Sequence, residues 1–130
     1  MTDPARTHTP NLLIVEDEPQ QRDTLDMLFT SEGYSVRSTD SAEKALEMLT
    51  ASRPDLVVTN VKLLGMDGFS FFEAVRRRGE ARPIPFIFMT AYNDLAAIER
   101  VKTFGSVEYI TKPFDLEDLI NLVRVRTGKS

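Results

Sequence analysis

Four short polar sequences, each placed directly after an apolar run, hold most of the groups in this chain that could do chemistry. Glu16-Asp17-Glu18 follows Leu12-Leu13-Ile14-Val15, and Thr59-Asn60 follows Leu56-Val57-Val58. Thr90-Ala91 follows Phe86-Ile87-Phe88-Met89, and Thr111-Lys112-Pro113 follows Val107-Glu108-Tyr109-Ile110. Together they offer acids, an amide, hydroxyls and an amine. Two carboxylates held at about 4 Å repel by roughly 4 kcal/mol at an effective dielectric near 20, so Glu16 and Asp17 side by side favour a cation between them or uptake of a proton. Taken singly, each group has a plain structural reading. Strand-end acids solvate turns, Thr90 could cap the helix that follows, and Lys112 could be a surface amine. Their recurrence after four apolar runs is what points to a site.

The elements that must position these groups follow from hydrophobic periodicity. The apolar runs are too continuous for half-exposed strands and predict parallel strands covered on both faces. Between them lie segments of helical period: Leu25, Leu28 and Phe29, entered at Pro19 and closed by Gly33; Ala45, Leu46 and Leu49, opened by Asp40 with Glu43 three residues on; Phe69, Phe72 and Val75; Ile98 and Val101, ending at Gly105; and Leu116, Leu119, Ile120 and Val123, capped by Asp115. Tyr34-Ser35-Val36-Arg37 alternates weakly, as suits an edge strand. Five βα units give an α/β fold with a doubly wound parallel sheet, because a closed eight-unit barrel needs about 250 residues. The expected strand order is 2-1-3-4-5, which places a site beyond the carboxyl ends of strands 1 and 3.

Composition narrows the chemistry. The 130 residues include no Cys and one His, so disulfides, zinc clusters, thiolate nucleophiles and nearly all histidine-based triads drop out. His8 is given no role. A net charge of −4 without a basic stripe argues against direct nucleic-acid binding by this segment. No apolar run reaches the roughly 20 residues of a membrane helix and no signal peptide opens the chain, so a cytoplasmic location and no membrane contact are expected. Residues 1–10 read as a flexible leader, 11–127 as one domain, and 128–130 as a tail or the start of a linker. The closing Gly128-Lys129-Ser130 resembles the end of a P-loop but lacks the upstream Gly and the preceding strand.

Over residues 11 to 127 the chain resembles the receiver domains of bacterial two-component response regulators. The resemblance rests on Ile14-Val15-Glu16-Asp17-Glu18-Pro19, Gly65-Met66-Asp67-Gly68, Met89-Thr90-Ala91-Tyr92 and Tyr109-Ile110-Thr111-Lys112-Pro113-Phe114, in that order on the expected strands. It implies the flavodoxin-like receiver fold and a signalling module, not an enzyme, in a phosphorelay. Glu16, Asp17 and residue 60, with the backbone carbonyl of Lys62, would hold Mg²⁺, a hard ion that takes carboxylate oxygens and water. Lys112 would pair with phosphoryl oxygens and Thr90 would donate to them. Lys112-Pro113 is where the family commonly has a cis peptide. Tyr109 would swing inward as Thr90 moves and so change the face made by helix 4, strand 5 and helix 5, although a Tyr there is equally suited to ordinary packing. Implied partners are a sensor histidine kinase or phosphotransfer protein and an output domain or protein, with a homodimer through the same face also compatible.

The chain departs from the family at residue 60, where the phosphoacceptor Asp is replaced by Asn. An amide is a very poor nucleophile and a weaker metal ligand than a carboxylate, so phosphotransfer at Asn60 is expected to be absent and Mg²⁺ binding weakened. The chain would then be a pseudo-receiver or an Asp-to-Asn variant, and the retained Glu16, Asp17, Thr90 and Lys112 are compatible with both. Lys62 could extend to the acids as a tethered cation or simply face solvent. Leu64 stands where the family usually has Pro, and Leu63-Leu64 reads as core cover sooner than as a contact patch. Two other functions share the architecture. A metal-dependent phosphatase could use Asp17 as nucleophile, but the short loops offer little for substrate recognition. A flavin mononucleotide domain needs a Ser, Thr and Gly loop after strand 1, where three acids stand instead.

Overall fold

The computed structural model describes residues 9–105 and 107–129. Strands β1 (Asn11–Val15), β2 (Ser35–Thr39), β3 (Leu56–Asn60), β4 (Phe86–Ala91) and β5 (Glu108–Lys112) alternate with helices α1 (Pro19–Ser31), α2 (Ala42–Ala51), α3 (Gly68–Arg76), α4 (Leu95–Lys102) and α5 (Leu116–Thr127). All four strand pairings are parallel and the order is β2-β1-β3-β4-β5, as expected for the flavodoxin-like receiver fold. The register sets Val15 beside Thr59, Asn60 beside Met89 and Thr90 beside Thr111, so the polar strand ends share one end of the sheet.

Alternate side chains of the strands feed two separate cores, as the two-residue strand period requires. Leu13, Val15, Val57, Phe86 and Phe88 face α2, α3 and α4, and meet Ala45, Leu49, Phe69, Phe71, Phe72, Ala97 and Val101. Leu12, Ile14, Leu56, Val58, Ile87 and Met89 face α1 and α5, against Leu25, Phe29, Leu119, Ile120 and Val123. Phe71, Phe86, Phe88 and Phe29 are fully buried, and each such side chain contributes about 1.5–3 kcal/mol of transfer free energy.

Helix starts are set by short polar caps. Glu18 precedes Pro19 at the first helical position, and its carboxylate accepts from the Gln20 and Gln21 amides. Asp67 caps α3 by accepting from Ser70, and Asp94 caps α4 by accepting from Ala97, a role that the sequence left open for Thr90. The start of α2 differs from expectation. Ser41 has the extended backbone of a cap and accepts from the Lys44 amide, while Asp40, one residue too early, pairs with the Lys44 side chain at 3.0 Å. Glu43, freed from capping, reaches the β3–α3 loop instead. Asp115 stands at the cap position of α5 without a side-chain hydrogen bond.

Residues 1–8 of the expected leader, His8 among them, lie outside the described residues. Thr9 is exposed, whereas Pro10 is buried and its carbonyl accepts the Ser35 amide at 3.0 Å. At the other end Gly128 adopts φ +70° after α5, and the Lys129 ammonium lies 5.7 Å from the centre of the Tyr34 ring. None of the described helices is long and apolar enough to cross a membrane.

Candidate functional site

The acids, the amide, Thr90 and two lysines, Lys62 and Lys112, line one cleft of about 340 Å³ at the carboxyl end of β1, β3, β4 and β5. A larger open groove of about 620 Å³ runs between β5 and α5 past Ile110, Leu122 and Val125, away from these groups. The convergence of ionisable and amide side chains, not size, marks the smaller cleft as the candidate site.

Glu16 is its centre and is 1% exposed. Its Oε1 accepts from the Lys112 Nζ at 2.8 Å, and its Oε2 accepts from the Asn60 Nδ2 at 2.5 Å and from the Glu18 amide at 3.2 Å. Asn60 Nδ2 also donates to Asp17 Oδ1 at 3.2 Å, so one amide ties both acids together. Its other atom, Oδ1, is buried and has no hydrogen-bond partner. That orientation follows from electrostatics: turning the amide over would press Oδ1 against two carboxylates.

The backbone around these side chains is held from several directions. Arg22 of α1 donates to the Glu16 carbonyl at 2.9 Å, and the Val61 amide donates to the Met89 carbonyl at 2.9 Å. The β3–α3 loop returns so closely that a Cβ on Gly68 would lie 2.2 Å from the Asn60 carbonyl oxygen. Glu43 straps the same loop, with Oε2 accepting from the Met66 amide at 2.9 Å where Gly65 turns at φ +78°. That amide holds the Glu43 carboxyl below its ordinary value.

The other expected site residues divide. Thr90 is 4% exposed and lines the cleft, and Lys112-Pro113 is a cis peptide. Tyr109 is half-buried against the phenylalanine-rich core, beside Phe88 in the register. Lys62 does not pair with the acids; its side chain is 87% exposed and its ammonium lies 4.0 Å from Asp94, the aspartate that caps α4. Leu63 packs on the core as expected, but Leu64 is 82% exposed and covers nothing. Sequence reasoning missed Arg22, Glu43 and the capping role of Glu18. Only the last had a readable signal, an acid immediately before a Pro at a helix entry.

The donor set in this arrangement does not suit a divalent cation. Both oxygens of Glu16 and one of Asp17 already accept from an ammonium, an amide N–H or the backbone. The third side chain presents hydrogens to the acids, not an oxygen. Among the described residues no group of three or more His, Cys, Asp or Glu side chains is placed to hold a metal.

Comparison with known proteins agrees with this fold. The family model for the response regulator receiver domain matches residues 12–124. Sporulation initiation phosphotransferase F of Bacillus subtilis is 34% identical over 113 residues, 87% of this chain and 90% of that protein. The transcriptional regulatory protein AfsQ1 of Streptomyces coelicolor is 36% identical over 80% of this chain, but only 45% of its own length is matched. The NtrC regulator of Klebsiella pneumoniae is 32% identical, with 85% of this chain matched to 23% of that protein. A crystal structure of a putative response regulator from Chloroflexus aurantiacus superposes with a TM-score of 0.82 at 28% identity, covering 94% of this chain and all of that one. The chain belongs to the response regulator receiver domain family.

Proposed function

We propose that this chain is a receiver whose phosphoacceptor position is taken by Asn60, so that it signals without accepting a phosphoryl group there. The carrying observation is the side-chain amide at the end of β3, which donates to both acids and keeps Oδ1 buried and unpartnered. An amide has no anionic oxygen with which to attack phosphorus, and here its nitrogen is spent on holding Glu16 and Asp17 together. The family's acid pair is thus balanced from within, by Lys112 and Asn60 in place of a metal, and Mg²⁺ affinity is weakened accordingly. The domain is not an enzyme in this reading.

Output passes through the face of α4, β5 and α5, where Tyr109 and Thr90 link the cleft to the surface. Partners are a sensor histidine kinase or phosphotransfer protein on the input side and an output domain or protein on the other. The location is cytoplasmic, and this segment does not itself bind nucleic acid. The phosphatase and flavin readings are not favoured, since the cleft offers neither a second acid cluster nor a loop for a phosphate, and family membership accounts for the same residues. Incubation with acetyl phosphate and Mg²⁺, followed by intact mass spectrometry, tests the reading. The chain is expected to gain no phosphoryl mass and Asn60→Asp to gain one. Stable phosphorylation of the parent chain at another carboxylate, such as Asp17, would overturn it.

A further inference from the structure

The end of the sheet opposite the acids has a different character. Where α2 gives way to β3 and α3 gives way to β4, the chain places five arginines: Arg53 on the first loop, Arg76 at the end of α3, and Arg77, Arg78 and Arg82 on the second loop. Against them stand Glu80 and Asp55, in a chain whose net charge is −4. Part of this cluster is tightly built. Arg53 donates through Nη1 to Glu80 Oε2 at 2.5 Å and through Nη2 to the Arg82 carbonyl at 2.6 Å, which clamps the two loops together. Arg78 Nε lies 3.6 Å from the other Glu80 oxygen. Arg76 is held down, its guanidinium 4.5 Å from the centre of the Phe72 ring and bonded to the Ile84 carbonyl at 3.0 Å.

Cations in a last helical turn complement the helix dipole, which accounts for Arg76. It does not account for Arg53, Arg78 and Arg82, which lie outside the helix. Arg77 and Arg82 are exposed, and no acidic side chain among the described residues pairs with either guanidinium.

We propose that this arginine end is a docking surface for an acidic segment of a partner protein. Glu80 displays the chemistry of the fit: one carboxylate is approached by guanidinium groups from two sides. Arg77 and Arg82, three and two residues from Glu80 along the chain, add exposed planar donor forks suited to further carboxylates. A nucleic acid fits less well, because a duplex carries a charge about every 1.7 Å and extends past so small a patch into the field of an acidic chain. Exposed charge pairs add little affinity each and mainly speed association, so the contact is weak and salt-sensitive.

The test uses the full chain and two probes, a twelve-residue peptide rich in Glu and Asp and a duplex DNA of similar length, followed by amide chemical shifts at low salt. The peptide is expected to move signals around residues 53 and 77–82 while leaving those of Glu16, Asp17 and Asn60 in place. Combining Arg77→Glu with Arg82→Glu is expected to weaken binding by about tenfold or more, with dispersion elsewhere retained. If the double variant loses its dispersion, the single change Arg77→Gln gives the same comparison. No peptide-induced shift, binding that survives these substitutions, or tighter binding of DNA at the same residues would each overturn the proposal.

Discussion

Replacing the amide of Asn60 by a carboxylate puts the internal balance of the cleft to a quantitative test. In Asn60→Asp, the donations to Glu16 Oε2 at 2.5 Å and to Asp17 Oδ1 at 3.2 Å disappear, and a third anion takes their place. A hydrogen bond to a charged group contributes about 1.5–3 kcal/mol, so the two losses come to about 3 kcal/mol at the lower bound. The new repulsion adds up to about 4 kcal/mol per close pair at an effective dielectric near 20, part of which side-chain movement and proton uptake relieve. A net loss of about 3–5 kcal/mol in the absence of metal is expected, a large share of the 5–15 kcal/mol that a domain commonly has. Urea unfolding followed by far-ultraviolet circular dichroism measures it, with parent and variant each run in EDTA and in millimolar Mg²⁺. Mg²⁺ should restore much of the variant's loss and leave the parent's midpoint nearly unchanged. Equal stability of the two proteins in EDTA, or an equal gain of both from Mg²⁺, would refute the reasoning.

Two further substitutions probe the frame around the cleft. Gly68→Ala would place a Cβ 2.2 Å from the Asn60 carbonyl oxygen, a backbone atom that cannot rotate away, and a loss of about 3 kcal/mol is expected in thermal melting. The Glu43 carboxyl has its folded value depressed below the ordinary 4.5, chiefly by the Met66 amide. It therefore contributes stability that is fully present above that ordinary value and fades as the pH falls through the depressed one. Glu43→Gln should flatten the stability profile below the ordinary carboxylate value, and a profile identical to the parent's would discount the strap.

The five strands and the gathering of Glu16, Asp17, Asn60, Thr90 and Lys112 were legible in the sequence because both depend on periodicity, and the strand order because five such βα units favour a doubly wound sheet. Continuous apolar runs declare buried parallel strands, and in such a sheet the residues ending those runs share one end. What escaped depends on contacts between segments far apart in the chain. Glu43 has the residue type of a capping partner, and only the packing of α2 beside the β3–α3 loop turns it towards Met66. Lys62 lies two residues from Asn60, yet the placement of α4 supplies Asp94 as its neighbour. The direction of the Asn60 amide was likewise not written in its type. It follows from having two carboxylates on one side, a fact of assembly.

The sheet also divides the aromatic rings unequally. Six of the eight phenylalanines, Phe69, Phe71, Phe72, Phe86, Phe88 and Phe104, belong to the layer shared with α2, α3 and α4, in close edge and stacked pairs. Ring currents shift the resonances of nearby methyl groups according to distance and angle. The methyls of Leu13, Val57, Ala97 and Val101 therefore stand in a strongly structured magnetic environment. Those of Leu12, Ile14, Leu119 and Val123, across the sheet, have only Phe29, Tyr34 and the half-buried Phe114 in their layer among the described residues. A methyl spectrum of this domain is thus a two-channel instrument, and a ligand that disturbs only one layer identifies, by which set of peaks moves, the side on which it sits.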